Sequence, residues 1–238
     1  AATRVNADGN IEKETQNLAL WSEDLTQSDW IKNLVSITSN NVVAPNGTTT
    51  ADKVTHTSSS GELYQPITDM NDGVFTYSFY AKYDDTQWIR ALIGGSHYTM
   101  QWFDVQNGVL GVNSQNNNSV YIDSSITDVG NGWYRCSLTA KNGLSSGNYV
   151  QINTSAANGS GSRVLGSFFY WGVQVEQGLV ARDYIETTTA AVEGGITDNV
   201  PRLDYTDSSC PALLLEPQRT NINPYSEYFG TFWNGLGN

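Results

Sequence analysis

The chain is poor in several things at once. It has two cysteines, two methionines, two histidines and six prolines in 238 residues. Cys136 and Cys210 lie far apart, so they supply neither a disulfide framework nor zinc-site spacing; they read as a buried small residue and a loop residue. Twelve basic against 24 acidic side chains leave a net charge of −12. No basic stripe is present to neutralise phosphates, which excludes nucleic acid as a partner and an anionic membrane surface with it. Apolar runs reach only a few residues, short of a membrane-spanning helix. No basic-then-apolar leader opens the chain, so an extracellular role is expected to be reached by another route, such as host lysis.

Catalytic patterns are equally scarce. His56 and His97 stand in separate segments, and no G-x-S-x-G accompanies them. The acidic candidates for glycoside hydrolysis are Glu23-Asp24, Asp69 with Asp72, and Asp84-Asp85. The last pair follows a strand, where neighbouring side chains point to opposite faces and do not converge on one bond. The expectation is a chain that is not an enzyme. Asp69-Met-Asn-Asp-Gly73 is acidic but lacks the remaining positions of a calcium loop. No cofactor and no metal ligand is assigned, with a structural calcium left open.

What the chain does have is aromatic strands. Seven Trp and thirteen Tyr suit pleated sheets. Residues 74–83 alternate bulky and small or polar side chains, 88–93 end at Gly94-Gly95, and 98–105 end at the hairpin signal Asn107-Gly108. Residues 132–139 follow the turn Gly130-Asn131, and 149–154 and 168–175 complete the series. Polar clusters such as 114–119 and 155–162 read as turns. No helical stripe is present. The predicted fold is an all-β, antiparallel β-sandwich of jelly-roll type.

The chain also repeats itself. NLALWSEDLTQSDW, residues 17–30, returns as NINPYSEYFGTFW, residues 221–233. Asn17 matches Asn221, Trp21 matches Tyr225, Ser22-Glu23 matches Ser226-Glu227, Leu25 matches Phe229, and Trp30 matches Trp233 after a one-residue gap. The interval far exceeds the ~20–50 residues of a solenoid unit, so whole domains are in tandem. Asp24 becomes Tyr228, so paired acidity is not part of the pattern. The segment therefore reads as the first strand of a sandwich, with Leu18, Leu20 and Leu25 inward. The predicted organisation is an extension or linker over 1–16, the sandwich over 17–187, an extended linker over 188–220 carrying Pro201, Pro211 and Pro217, and the start of a truncated second repeat over 221–238.

Four of these stretches carry a family resemblance. Asn17–Leu25 with Asp29-Trp-Ile-Lys32, Ala44–Val54, and Tyr170–Gly178 leading to Ala181–Ile185 are similar to jelly-roll modules of bacteriophage virion proteins. Asn199–Thr206 with Cys210–Thr220 resembles the linker joining such modules in phages of Bacteroidetes hosts, including crAss-like phages. The resemblance implies a carbohydrate-binding-module-like or concanavalin-like module on a head fibre, tail fibre or capsid decoration. It implies other virion proteins as partners, a homotrimer by analogy with fibres, a place on the virion surface, and display of binding to host cell-surface glycan. The alternative is a bacterial secreted carbohydrate-binding module attached to a polysaccharide-degrading enzyme. The family supplies no set of binding residues. From the residues themselves, aromatic rings that stack on sugar faces, with amides and carboxylates for hydroxyls, point to Trp88, Tyr98 and Trp102 on one sheet face, with Gln101 and Asp104 alongside. Trp133 and Trp171 read as core.

Overall fold

The computed structural model describes residues 3–5, 11–13, 16–70, 72–116, 118–142, 147–192, 203–204 and 212–213. By contacts the chain divides into two units, 1–195 and 196–238. Within the first, β1 (Thr3–Val5) pairs antiparallel with β2 (Ile11–Lys13). The main body follows as β3 (Ile31–Asn33), β4 (Val35–Val42), β5 (Ala51–His56), β6 (Glu62–Pro66), β7 (Gly73–Tyr83) and β8 (Trp88–Gly94). It continues through β9 (Tyr98–Asp104), β10 (Val109–Gln115), β11 (Val120–Gly130), β12 (Trp133–Asn142), β13 (Tyr149–Ser155) and β14 (Gly166–Gln177). In the second unit β15 (Leu203–Asp204) pairs with β16 (Ala212–Leu213). The segment 221–238, expected to begin a second repeat, and most of the expected linker over 188–220 lie outside the described residues.

Two six-stranded antiparallel sheets form the sandwich, sheet one in the order β10-β9-β8-β13-β6-β3 and sheet two in the order β11-β12-β7-β14-β5-β4. The chain crosses repeatedly between them, as in a jelly roll. The predicted fold class is therefore the observed one, and the six strands read from sequence all form. The Asn107-Gly108 signal does close the β9–β10 hairpin, where Asp104 pairs with Val109.

Alternation along each strand divides core from surface. Phe75, Tyr77, Phe79 and Ala81 of β7 face inward from sheet two, and Ile89, Ala91 and Ile93 of β8 face them from sheet one. Phe79 meets Phe103 edge-on across the gap, with ring centroids 5.7 Å apart. Such edge-to-face contacts add to the burial of the rings themselves. The Tyr77 and Tyr170 hydroxyls bond to each other at 2.5 Å, so neither is left unsatisfied in the core. Cys136 is buried here, and burial pushes its thiol well up. A second cluster, Ala44, Ala51, Trp133 and Trp171, packs on the outside of sheet two, so both tryptophans read as core are buried.

The opening segment is not a strand, which corrects the reading from sequence. Residues 18–30 run through bends and turns, and its side chains explain why. Asn17 is wholly buried. Its amide donates to the carbonyls of Val173 and Ile185, both at 2.8 Å, and its oxygen accepts from Ala19 N and Val175 N. The Gln65 amide bonds both the N–H and the carbonyl of Leu20 at 2.8 Å, taking the place of a neighbouring strand. Ser22 receives the Thr187 N–H, and Leu25 and Trp30 are buried. Asn17, Ser22, Leu25 and Trp30 are among the positions matched at 221–233, and in 17–30 they form a packing lock.

Candidate functional site

Five residues were expected on one platform, and the structure separates them. Register places Trp88 opposite Asp104 and Arg90 opposite Trp102 on the outer face of sheet one. Gln101 pairs with the core residue Ala91, so it points to the other side. There its Nε2 donates to the carbonyls of Trp102, Gly111 and Val112, anchoring the bulge of β10. Trp102 is on the expected face but only 2% exposed. The turn over 156–163 folds across it, and its indole N–H donates to Ser155 Oγ and to the Ser160 carbonyl, both at 3.0 Å. Gly111 also lies against it, since a Cβ there would meet Trp88, Trp102 and Asn158. Asp104 is a turn cap. Burial would raise its carboxyl, yet bonds from Asn107, Gln87 and Gln106 N hold it below the usual range. Only Trp88 and Tyr98 keep exposed ring surface.

Further along the same face the sheet assembles a different group. Tyr98 of β9 pairs with Gly94 of β8, and Gly94 pairs with Tyr149 of β13. Tyr149 pairs with Pro66 of β6, and Tyr64 of β6 pairs with Gln151 of β13. The Tyr64 and Tyr149 rings are 5.4 Å apart and tilted at 58°. All three tyrosines are partly exposed, whereas the core rings Tyr77, Phe79, Phe103 and Phe168 are at 0%. Gly94 has φ +128, and a Cβ there would run into the carbonyl of His97. That carbonyl fills the space beside Gly94, and Tyr98 and Tyr149 stand on the two strands that flank it, two strand spacings or roughly 10 Å apart.

Charged groups border the tyrosines. Arg163 pairs with Glu62 at 2.7 Å. Arg90 lies over the Trp102 ring at 5.9 Å, and its Nη1 donates to the Gly161 carbonyl at 3.3 Å. Burial and the neighbouring Arg163 both lower the Arg90 guanidinium from its ordinary value, and Tyr98, Glu62 and Tyr149 oppose that. Burial raises the Tyr149 hydroxyl, aided by Glu62, Tyr98 and Tyr64. One electrostatic neighbourhood thus joins four strands. Apart from Tyr98, these residues were missed in the sequence. Tyr149 and Gln151 alternate with core Val150 and Ile152, a signal that two side chains of this strand face outward. That Tyr64 stands beside them is a matter of strand pairing, which no local pattern carries.

Two of the three acidic pairs are structural clamps. Asp84 accepts from Lys53 and from Ser167 Oγ at 2.5 Å, and Asp85 accepts the Ser167 N–H. Burial would raise the Asp84 carboxyl, and these bonds bring it below its ordinary value. Glu23 accepts from Tyr184, and Asp24 closes the turn at Thr26. Asp69 and Asp72 are exposed. His56 ends β5 in sheet two and His97 lies in the turn between β8 and β9, and among the described residues no three His, Cys, Asp or Glu side chains converge on a metal position. On the outer face of sheet two a groove of about 440 Å³ runs between the hydroxyls of Ser125, Ser137 and Thr139 and the segment Leu179–Ala181, with Arg135 and Tyr80 in its wall.

By sequence the chain matches no protein family and no characterised protein. By structure it is similar to the enzymatically active domain of tailspike protein 4 of bacteriophage CBA120, at 17% identity and TM-score 0.37, over 69% of this chain and 21% of that one. It is similar to a candidate sugar-binding protein of Bacteroides thetaiotaomicron, at 14% identity and TM-score 0.37, over 69% of this chain and 95% of that one. It is also similar to the CBM22-1–GH10 modules of Clostridium thermocellum endo-1,4-β-D-xylanase 10B complexed with xylohexaose, at 13% identity and TM-score 0.39, over 70% of this chain and 29% of that one. None of these likenesses assigns a role to a residue of this chain.

Proposed function

We propose that this chain is a saccharide-binding β-sandwich module, with its site on the outer face of sheet one. The observation that carries this is the set Tyr64, Tyr98 and Tyr149, three rings from three strands left partly exposed on one face of the sheet. Packing within the sandwich gives no reason to present three tyrosines together, since the aromatic rings that build the core are buried. Tyrosine combines an apolar face for sugar C–H groups with a hydroxyl for hydrogen bonding. Among the described residues no reacting constellation accompanies them, and the module is proposed to bind without catalysis.

A glycan array and a polysaccharide pull-down test the reading. The chain should retain a glycan, and Tyr64→Ala and Tyr149→Ala should each weaken retention at least tenfold while leaving the unfolding midpoint near that of the parent. A blank at high protein concentration overturns the proposal.

The carrier of the module is a second proposal. The lock positions Asn17, Ser22, Leu25 and Trp30 are matched at 221–233 by Asn221, Ser226, Phe229 and Trp233, which favours serial sandwiches projecting from one protein. A virion fibre or capsid decoration, with other virion proteins and a trimeric assembly, fits that arrangement, as does a secreted bacterial protein in which the module accompanies a polysaccharide-degrading enzyme. Detection of the chain in purified particles decides between them; its absence removes the virion placement.

A further inference from the structure

On the reading that the tyrosine face binds saccharide, we infer that its ligand is an acidic saccharide, one carrying an oxyanion that Arg90 and Arg163 receive. The molecule is strongly acidic, with 12 basic residues against 24 acids, yet two of its arginines meet at this one face. Arg90 is only 7% exposed, and its Nε finds no hydrogen-bond partner among the described residues. Among the described residues it donates to one carbonyl at 3.3 Å and lies over the face of Trp102, neither of which carries a full negative charge. Arg163 has a carboxylate, Glu62, but its own Nε is likewise without a partner.

Two guanidinium groups therefore share one carboxylate. A charge withdrawn from water without a counter-charge is costly, and the two arginines also repel each other. A neutral sugar leaves the surplus in place. An oxyanion held by guanidinium N–H groups removes it through charge-assisted bonds, which are stronger than neutral ones. The Tyr64, Tyr98 and Tyr149 rings border the arginines, so a sugar ring stacked there sets an acidic substituent beside them. The chemistry is shared by uronate carboxylates and sugar sulfates.

The experiment uses paired glycans that differ only in the acidic group: uronate oligosaccharides against their methyl esters, and sulfated against unsulfated chains. The acidic member of a pair should bind about tenfold tighter or more, and which pair responds identifies the oxyanion. Arg163→Gln should remove the preference. Glu62→Gln, which deletes the competing carboxylate, should strengthen acidic binding. Arg163 and Glu62 are both partly exposed, so neither change is expected to prevent folding. Equal binding of acidic and neutral partners, or an Arg163→Gln variant with its preference intact, overturns the inference while leaving the saccharide reading standing. A blank across all glycans removes the saccharide reading, and this inference with it.

Discussion

His56 is buried with neither ring nitrogen bonded to a partner among the described residues. Burial, with Arg163 nearby, pushes its imidazole down from 6.5 to about 4. Between those values the unfolded chain takes up a proton that the native state refuses. The resulting stability is fully present above pH 6.5 and is lost as pH falls toward 4, by at most about 3 kcal/mol. Asp52 runs the opposite way: burial raises it from 3.8 to about 6, so its contribution is full below 3.8 and is lost as pH rises through 6. Urea unfolding of His56→Leu at pH 7 and pH 5 should show a smaller acid loss than the parent. Identical losses would mean that His56 does not refuse the proton. At Trp102, substitution by Ala should cost about 3–5 kcal/mol and also loosen the turn over 156–163, read by faster amide exchange there. Trp88 lies at the exposed end of the same face, and Trp88→Ala should leave the unfolding midpoint much closer to that of the parent.

At the scale of elements, strands with a buried face were legible and edge strands were not. β7, β8 and β13 announce themselves because core residues alternate with others. β10 and β11 are largely polar or exposed on both faces, so Val109–Gln115 and Val120–Gly130 carry no such contrast. The tryptophan-rich opening misled for a related reason. Its apolar residues are buried, but side-chain amides of Asn17 and Gln65 hold the backbone in place of a ladder. Asn17→Ala strips four hydrogen bonds from buried backbone groups at once. A loss of about 2–4 kcal/mol is expected, measured by chemical denaturation, and a change under 0.5 kcal/mol would show that the lock is dispensable. The site was legible only in kind. Aromatic side chains on β8 and β9 were visible in sequence, but the tyrosine group is assembled by pairing across β9, β8, β13 and β6, and the turn that hides Trp102 comes from a polar stretch.

At the scale of the molecule, the two outer faces differ. Sheet one presents partly exposed tyrosines and two arginines, while sheet two presents a hydroxyl-lined groove beside a packed tryptophan cluster. The first combines ring faces with an uncompensated positive charge, and it is the face proposed for an acidic glycan. Isotope-edited NMR of the chain titrated with the tightest-binding glycan of the array locates the site directly. Shifts should concentrate at Tyr64, Tyr98, Tyr149 and Gln151, with Ser125, Ser137 and Leu179 unmoved. Shifts centred on Ser125 and Ser137, with the tyrosines unmoved, would contradict the assignment of the tyrosine face as the binding surface.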